Sequence, residues 1–234
     1  SAYLSAAYAC DKLGLPGHDC YEVAKIVHNK MLFRKVMSEL KLPTPMFEIC
    51  TSVEKLNAIG EKVGFPLIVK PVDLNSGVGC AICRSLKELE VAFTKARDVS
   101  KSDEIIIEQY IQGTNHATNV FFQNQKVVHS FFDNEQYYIN PYLVSGASSP
   151  SNLCHYTMEQ VHFQLEKIAE RLKLVDGMFH VQFIVDSQGT PYLIDPCRRI
   201  PGGLYILFSR YASGFNVAEN VVRLTRNVYF CMQN

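Results

Sequence analysis

The segment from Phe179 to Gly203 constrains the fold most, because it predicts a β-hairpin whose register can be worked out. Two apolar runs flank Ser187-Gln188-Gly189, and such residues are typical of tight turns. A two-residue turn at Gln188-Gly189 would place Gln182 directly opposite Asp195. Opposed side chains have Cβ atoms about 5 Å apart, close enough for two oxygens to share a cation. The hairpin therefore predicts a polar site on a sheet.

The same hairpin adds further polar groups to the predicted site. Because side chains alternate between the two faces of a strand, Cys197 is predicted on the face of Asp195 and His180 on the face of Gln182. Four polar or polarisable groups would then converge on one patch of the sheet.

Two arginines follow the second strand of the hairpin directly. Arg198 and Arg199 could neutralise and orient phosphate oxygens, because a planar guanidinium group donates two hydrogen bonds to one phosphate. The alternative interpretation is a surface ion pair between Asp195 and Arg199 beside a glycine turn. The sequence alone leaves both interpretations open.

The rest of the chain alternates helix signals with short β-type runs. The runs are 66–70, 80–84, 104–111, 117–122, 126–132, 178–186 and 190–196. The predicted helices are 3–13, 29–41 and three that begin at capping boxes at Thr51, Ser85 and Thr157. Residues 134–152, rich in Asn, Ser, Pro and Gly, predict a long loop. Tight turns between consecutive strands favour antiparallel pairing, so we expect an α+β protein.

A glycine-containing hairpin tip follows the buried strand that ends at Lys70. Gly77 and Gly79 allow successive backbone N–H groups to face one anion, while Lys70 supplies a positive charge. This combination suits a triphosphate, although the spacing is not that of a Walker A loop. The alternative is an ordinary turn, since glycine is common at hairpin tips.

A third candidate site is the apolar strand 105–111 and the glycine that follows it, Gly113. A strand end that passes into a hinge can offer an adenine ring an apolar slot with backbone donors and acceptors. The alternative is a buried strand that simply ends at glycine, which is common.

Composition restricts the class of partner. Lys plus Arg and Asp plus Glu both number 23, so no global charge favours nucleic acid or an anionic membrane. No apolar run approaches the roughly 18 residues that span a bilayer. The eight cysteines lack the spacing of a disulfide scaffold, which predicts a reducing cytoplasmic setting. Cys80-Ala-Ile-Cys83 is interpreted as strand residues, because no second metal-binding pair accompanies it.

Taken in order, these segments resemble the ATP-grasp superfamily over nearly the whole chain. The resemblance starts at Gly14-Leu15-Pro16-Gly17 and Asn29-Lys30, continues through Thr44-Pro45 and Lys70, and ends beyond Gly203. It implies two α/β subdomains with antiparallel sheets that clamp ATP. The expected parts are a helical segment 1–44, a small subdomain 45–112 with the glycine lid, and a large subdomain 113–234. An N-terminal pre-ATP-grasp domain is expected to be absent, because the chain opens in a predicted helix.

The resemblance also implies roles for individual residues. The residues expected to contact ATP are Lys30, Lys70, Ser76, Gly77, Gly79, Glu108, Gln109, Tyr110, Ile111 and Asn115. Gln182, Asp195 and Cys197 fall on the magnesium-ligand positions, which are usually Glu, Glu and Asn. Lys70, Arg198 and Arg199 are expected to stabilise the transferring phosphoryl group. Gln and Cys at two ligand positions weaken the expectation of a fully functional metal site, because Mg²⁺ prefers charged oxygens.

The resemblance implies an ATP-dependent ligase that activates a carboxylate as an acyl phosphate for attack by an amine or another nucleophile. Its cofactors would be ATP and Mg²⁺, with Mn²⁺ as the alternative cation. The partners would be ATP and a small carboxylate, without nucleic acid or membrane, and a homodimer is compatible with the sequence. Two other hypotheses stay open: a catalytically degenerate ATP-binding regulatory module, and an interaction domain without nucleotide.

Overall fold

The computed structural model describes residues 2–74, 77–202 and 204–225. The helices are α1 (Ala2–Leu13), α2 (Tyr21–His28), α3 (Lys30–Glu39), α4 (Leu56–Val63), α5 (Leu86–Val99), α6 (His155–Leu172), α7 (Tyr205–Ser213) and α8 (Val217–Thr225). The strands are β1 (Phe47–Cys50), β2 (Leu67–Pro71), β3 (Ala81–Cys83), β4 (Ile105–Gln109), β5 (Gly113–Gln123), β6 (Lys126–Gln136), β7 (Gly146–Ser148), β8 (Gly177–Asp186) and β9 (Pro191–Cys197). A 3₁₀ turn, Val53–Lys55, precedes α4.

The strands form two antiparallel sheets. The first has four strands in the order β1-β4-β2-β3, and the second has five in the order β7-β6-β5-β8-β9. Each named pairing in both sheets is antiparallel. The predicted α+β class with two antiparallel sheets is confirmed.

The four-stranded sheet has one apolar face and one face that carries charge. Leu67 and Ile107 belong to the core beneath helices α4 and α5. Because side chains alternate along a strand, Lys70 and Glu108 lie on the opposite face. This sheet therefore turns two charged side chains away from its own core.

The five-stranded sheet is covered on one face by α6 and by the first helices of the chain. Phe33 and Met37 of α3 join Leu165 and Ile168 of α6 in the largest apolar core. Helices α2 and α3, which belong to the expected helical segment 1–44, thus contribute to the core beneath this sheet. The other face carries the polar residues described below. None of the helices in the described ranges is long and apolar enough to cross a bilayer.

The three predicted capping boxes have different outcomes. The cap at Ser85 is confirmed, since the Ser85 side chain accepts a hydrogen bond from the Glu88 N–H at 3.3 Å, whereas the Glu88 side chain accepts from the Arg84 N–H at 2.8 Å and not from that of Ser85. The prediction at Thr51 is wrong, because Ser52 is the cap and a 3₁₀ turn comes first. The prediction at Thr157 is also wrong, because Cys154 caps α6 and Thr157 lies within its first turn.

The predicted loop 134–152 is partly wrong. Strand β6 continues to Gln136, and β7 pairs with its end through Asn134 and Ser148. Sequence analysis missed this strand extension because its residues are polar and only half-buried. They therefore lack the apolar alternation by which a strand is recognised. The extension matters because it places Glu135 on the sheet.

Candidate active site

Strands β8 and β9 place Gln182 opposite Asp195 and His180 opposite Cys197, as the sequence predicted. The route to this register differs from the expected one. Asp186 pairs with Thr190, so the turn has three residues, Ser187 to Gly189, and not two. A β-bulge beyond Gln182 then shifts the register back by one residue. The two deviations cancel at the site.

Arg34 holds this bulge in place. Its Nη1 and Nη2 atoms donate to the carbonyls of Leu193 and Ile194 at 3.0 and 3.2 Å. Its Nε atom donates to Glu108 on the other sheet at 2.7 Å. Through these hydrogen bonds Arg34, which is fully buried, ties the two sheets together. Sequence analysis missed it, although a charged residue on the apolar stripe of α3 was a usable signal.

Glu108 lies between two cations on the four-stranded sheet. Besides Arg34, it accepts from the Lys70 Nζ atom at 2.7 Å. Burial alone would raise the pKa of Glu108, but Arg34 and Lys70 outweigh burial and lower it to about 2. Glu108 is therefore a carboxylate at neutral pH. Its ion pairs fix the direction of Lys70, whose side chain is 14% exposed.

Helix α3 directs Lys30 toward the glycine loop. Asn29 caps the helix by accepting from the Leu32 N–H at 3.0 Å. Lys30 is the first residue after this cap, and its Nζ atom donates to the Leu74 carbonyl at 3.0 Å. Residues four apart share one face of a helix, so Lys30 and Arg34 both point to the side on which the sheets meet.

The predicted glycine lid is described only in part, since Ser76 lies outside the described residues. Gly77 and Gly79 both have φ of +72°, which a residue with a side chain rarely adopts. A Cβ atom on Gly77 would lie 2.5 Å from that of Tyr142, in the segment between β6 and β7. The Tyr142 hydroxyl also accepts from the Ile82 N–H at 2.9 Å. The segment that joins β6 and β7 of the five-stranded sheet thus contacts the glycine loop.

Charges from both sheets act on one point, the Cys80 thiol. Burial raises the pKa of this thiol. The charges of Lys70 and Lys30 lower this pKa, and those of Asp195 and Glu108 raise it. Cys80 follows the glycine loop directly. Both predicted lysines and the predicted acidic metal ligand thus lie close enough to influence one thiol next to the glycine loop.

Glu135 lies beside Gln182 and was missed by sequence analysis. Its Oε1 atom accepts from the Gln182 Nε2 atom at 2.7 Å, and its Oε2 atom accepts from the Tyr137 hydroxyl at 2.8 Å. Burial raises the pKa of Glu135 to about 7, and the charges of Asp133 and Asp195 act in the same direction. Predicting a loop from residue 134 onward concealed this residue.

Asp133 is a second buried acid on the same face. Its Oδ2 atom accepts from the Tyr205 hydroxyl of α7, while its Oδ1 atom has no partner among the described residues. Burial raises the pKa of Asp133 to about 6 against the opposing effect of Tyr205. Nearby, His180 contacts Asn119 at 3.0 Å, and burial lowers its pKa to about 4. His180 is therefore neutral at pH 7.

The two adjacent arginines have different surroundings. Arg198 is buried and donates from Nε to Asp19 at 2.6 Å, and from Nη1 and Nη2 to the carbonyls of Met178 and Val175. The guanidinium group of Arg198 thus donates to protein acceptors, and the predicted phosphate contact of Arg198 stays a prediction. Arg199 is exposed, and its Nη1 atom donates to the Ile200 carbonyl.

Cys197 takes the third predicted metal-ligand position. Its Sγ atom donates to the Arg199 carbonyl at 3.5 Å and accepts from the Arg199 N–H at 3.4 Å. Burial raises the pKa of Cys197, so it is a neutral thiol and a poor ligand for a hard cation. Within the described ranges, no group of three or more His, Cys, Asp and Glu side chains is arranged to hold a metal.

The segment predicted to bind adenine joins the two sheets. The N–H groups of Gln109 and Tyr110 are bonded to the carbonyls of Met46 and Pro66 at 2.8 and 3.0 Å. Ile111 is buried, and Asn115 lies at the start of β5 with a half-buried side chain. The segment is thus tied to the four-stranded sheet just before the chain enters the five-stranded one.

Comparisons with known proteins agree with this architecture. Residues 63–204 match a family model described as ATP-grasp domain. The chain is 34% identical over 181 residues to a D-alanine–D-alanine ligase of Francisella tularensis, covering 73% of this chain and 56% of that protein. The chain spans about half the length of the curated relatives it matches first.

Solved structures are similar over almost the whole chain. An L-amino acid ligase from Bacillus licheniformis has a TM-score of 0.77 and 25% identity, covering 94% of this chain and 54% of that one. The biotin carboxylase domain of the Hydrogenobacter thermophilus 2-oxoglutarate carboxylase, solved with MgADP and bicarbonate, has a TM-score of 0.81 and 20% identity. That match covers 95% of this chain and 51% of the other. With a family match over more than half of its length and this arrangement of sheets, the chain belongs to the ATP-grasp family.

Proposed function

We propose that this chain is the nucleotide-binding core of an ATP-dependent ligase that activates a carboxylate as an acyl phosphate. The observation that carries the proposal is the placement of two lysines at the glycine loop: Lys30 donates to the Leu74 carbonyl at 3.0 Å, and Lys70 lies on the strand that leads into the loop. The charge of Asp195 acts on the Cys80 thiol at the other end of the loop. Two cations and a nearby carboxylate suit the phosphates of a nucleotide and its divalent cation. The proposal places this activity in a reducing cytoplasm, consistent with the free thiols of the described cysteines.

The proposed division of roles follows the geometry. Lys30, Lys70 and the exposed Arg199 neutralise the phosphates, and the loop with Gly77 and Gly79 closes over them. The adenosine end lies along residues 108–111, where Glu108 acts through its ion pair with Lys70. Asn115 is proposed to contact the ribose.

The cation is proposed to bind between Asp195 and Gln182. Among the described residues, the Asp195 carboxylate has no hydrogen-bond or ion-pair partner, so it can accept a cation. The Gln182 amide offers its oxygen, because its nitrogen donates to Glu135. These oxygens fit Mg²⁺ or Mn²⁺ when nucleotide phosphates and waters complete the shell. Cys197 is left out of the proposed ligand set because its thiol is neutral and donates a hydrogen bond to the Arg199 carbonyl.

The proposed reaction has two balanced steps. A substrate carboxylate oxygen forms a bond to the γ-phosphorus of ATP while the bond to the ADP oxygen breaks. An amine or another nucleophile then attacks the acyl carbon, inorganic phosphate leaves, and the nucleophile loses a proton. The protein contributes positioning, charge neutralisation and exclusion of water.

Amino acids are the first substrates to test. Two of the similar proteins are named as ligases of D-alanine and of L-amino acids. The test incubates the protein with ATP, Mg²⁺ and pairs of amino acids, measures ADP release, and includes hydroxylamine, which converts an acyl phosphate to a hydroxamate. We expect ADP and hydroxamate in equal amounts with one carboxylate class, and neither with Lys70→Met. ATP binding without ADP release across carboxylate classes would contradict the ligase.

The second candidate is a module that binds ATP without transferring phosphate. Gln182 and Cys197 favour it, because they replace ligands that are usually a carboxylate and an amide in this family. It predicts ATP binding, no hydroxamate, and a nucleotide-dependent change in protease sensitivity. The same incubation therefore separates the two candidates.

A further inference from the structure

Gln182 has an unusual position for a candidate cation ligand, because it lies between two carboxylates. It faces Asp195 across the β8–β9 pairing, and its Nε2 atom donates to Glu135 at 2.7 Å. The Tyr137 hydroxyl donates to the other Glu135 oxygen, so Glu135 accepts at both oxygens and the nitrogen of the Gln182 amide faces it. The amide oxygen is consequently left for the other side.

Glu135 is itself held in place. Its second oxygen accepts from the Tyr137 hydroxyl at 2.8 Å, and its strand β6 lies next to β5 in the sheet. With one oxygen on Tyr137 and the other on Gln182, the carboxylate cannot rotate without losing a hydrogen bond. It therefore sets the orientation of the Gln182 amide.

We propose that Glu135 is a positioning residue that turns the Gln182 oxygen toward the cation of a bound nucleotide and supplies the negative charge that Gln182 lacks. With Glu135 ionised, the Glu–Gln pair carries the same single charge as one glutamate ligand, displaced by one hydrogen bond, and a bound cation favours that ionised form. Together with Asp195, the site then holds two negative charges for a divalent cation. This inference rests on the proposed function and assigns a role to a residue that the family resemblance did not include.

The test is an exchange of the two side chains. Glu135→Gln, Gln182→Glu and the double variant are compared with the wild-type protein, and Glu90→Gln on the exposed face of α5 serves as the control. Mn²⁺ binding to the ATP-loaded protein is measured from the electron paramagnetic resonance signal of free Mn²⁺. ATP binding without metal and thermal unfolding without ligands are measured in parallel.

We expect Glu135→Gln to weaken Mn²⁺ binding about 10- to 100-fold, the range seen when a residue that orients a metal ligand is lost. ATP binding without metal and the control variant should stay at wild-type values. Gln182→Glu should lower thermal stability, because it places two carboxylates in contact. The double variant restores the hydrogen bond with its ends exchanged and should return Mn²⁺ binding to within about threefold of wild type.

The outcomes distinguish a failure of the role of Glu135 from a failure of the proposed function. If the wild-type protein binds Mn²⁺ and Glu135→Gln binds it equally well, only the proposed role of Glu135 is overturned. A double variant that binds Mn²⁺ no better than Glu135→Gln would do the same, and this comparison also serves if the Gln182→Glu protein unfolds. A wild-type protein that binds ATP but no Mn²⁺ would overturn the proposed function and this inference with it.

Discussion

The four-stranded and five-stranded sheets differ in how their buried acids are compensated. On the four-stranded sheet, Arg34 and Lys70 outweigh the burial of Glu108 and lower its pKa to about 2. On the five-stranded sheet, burial raises the pKa of Glu135 to about 7 and that of Asp133 to about 6. The first sheet therefore carries a completed ion-pair network, whereas Asp133 and Glu135 on the second have no ion-pair partner among the residues that the structure describes. The charged side chains of the first sheet thus compensate one another, whereas Asp133 and Glu135 lie on the sheet that carries the cation site proposed above.

The largest expected effect comes from breaking the completed network. Arg34→Met leaves Glu108 with Lys70 alone and removes the donors to the Leu193 and Ile194 carbonyls. Loss of one partner from a buried ion pair costs about 3–5 kcal/mol of unfolding free energy. Urea denaturation of the variant and the wild-type protein measures this cost.

The matched control for this experiment is Arg84→Met, since Arg84 is exposed at the start of α5. A substitution of this kind changes stability by about 0.5 kcal/mol or less. An Arg34→Met protein as stable as the control would show that the network does not hold the two sheets together.

The next largest effect concerns Asp133 on the five-stranded sheet. Its contribution to stability depends on pH in the direction opposite to that of Glu108. The pKa of Asp133 is raised from 3.8 to about 6, so between these values the folded state binds more protons and stability falls as pH rises. Asp133→Asn removes this loss and should gain about 2–3 kcal/mol over wild type between pH 4 and pH 7. Urea denaturation across this range measures the difference.

Glu108 provides the contrast within the wild-type protein. Its pKa is lowered, so its stabilisation is present above pH 4.5 and is lost as pH falls toward 2. A difference between Asp133→Asn and wild type that stays constant from pH 4 to pH 8 would show that Asp133 titrates normally. The two sheets would then be equally compensated.

The smallest expected effect tests the contact of the glycine loop with the five-stranded sheet. Gly77→Ala and Gly189→Ala both place a side chain at positive φ, which costs about 1 kcal/mol. Only the Gly77 variant also meets Tyr142, whereas the surroundings of Gly189 are open. We expect Gly77→Ala to lose about 1 kcal/mol more than Gly189→Ala in thermal or urea unfolding.

Equal losses in the two variants would show that the Tyr142 contact adds nothing to stability. In that case the glycine loop would be independent of the five-stranded sheet.

Sequence analysis predicted what depends on local chemistry and periodicity. The antiparallel pairing, the Ser85 cap and the facing of Gln182 and Asp195 follow from turn residues, capping residues and alternation, whereas the division into two sheets came from the family resemblance. The register of β8 and β9 was correct for a reason that the sequence did not contain. The bulge that restores it is held by Arg34, which lies far away along the chain.

The pairings that sequence analysis missed share one property, which is a partner distant in sequence. Arg198 pairs with Asp19, and Glu135 pairs with Gln182. An arginine beside a predicted phosphate site suggests a phosphate ligand until the fold places an aspartate against it. Such pairings depend on how helices and sheets pack, and local patterns do not carry that information.

Calorimetric titration of ATP with and without Mg²⁺, for the wild-type protein, Lys70→Ala and Asp195→Asn, tests the central claim most directly. The account predicts that Mg²⁺ strengthens wild-type ATP binding by at least about tenfold, or about 1.4 kcal/mol. Asp195→Asn should lose this Mg²⁺ effect, and Lys70→Ala should weaken binding under both conditions. ATP binding that ignores Mg²⁺ and is equal in wild type and Asp195→Asn, or no ATP binding by the folded protein, would contradict the account.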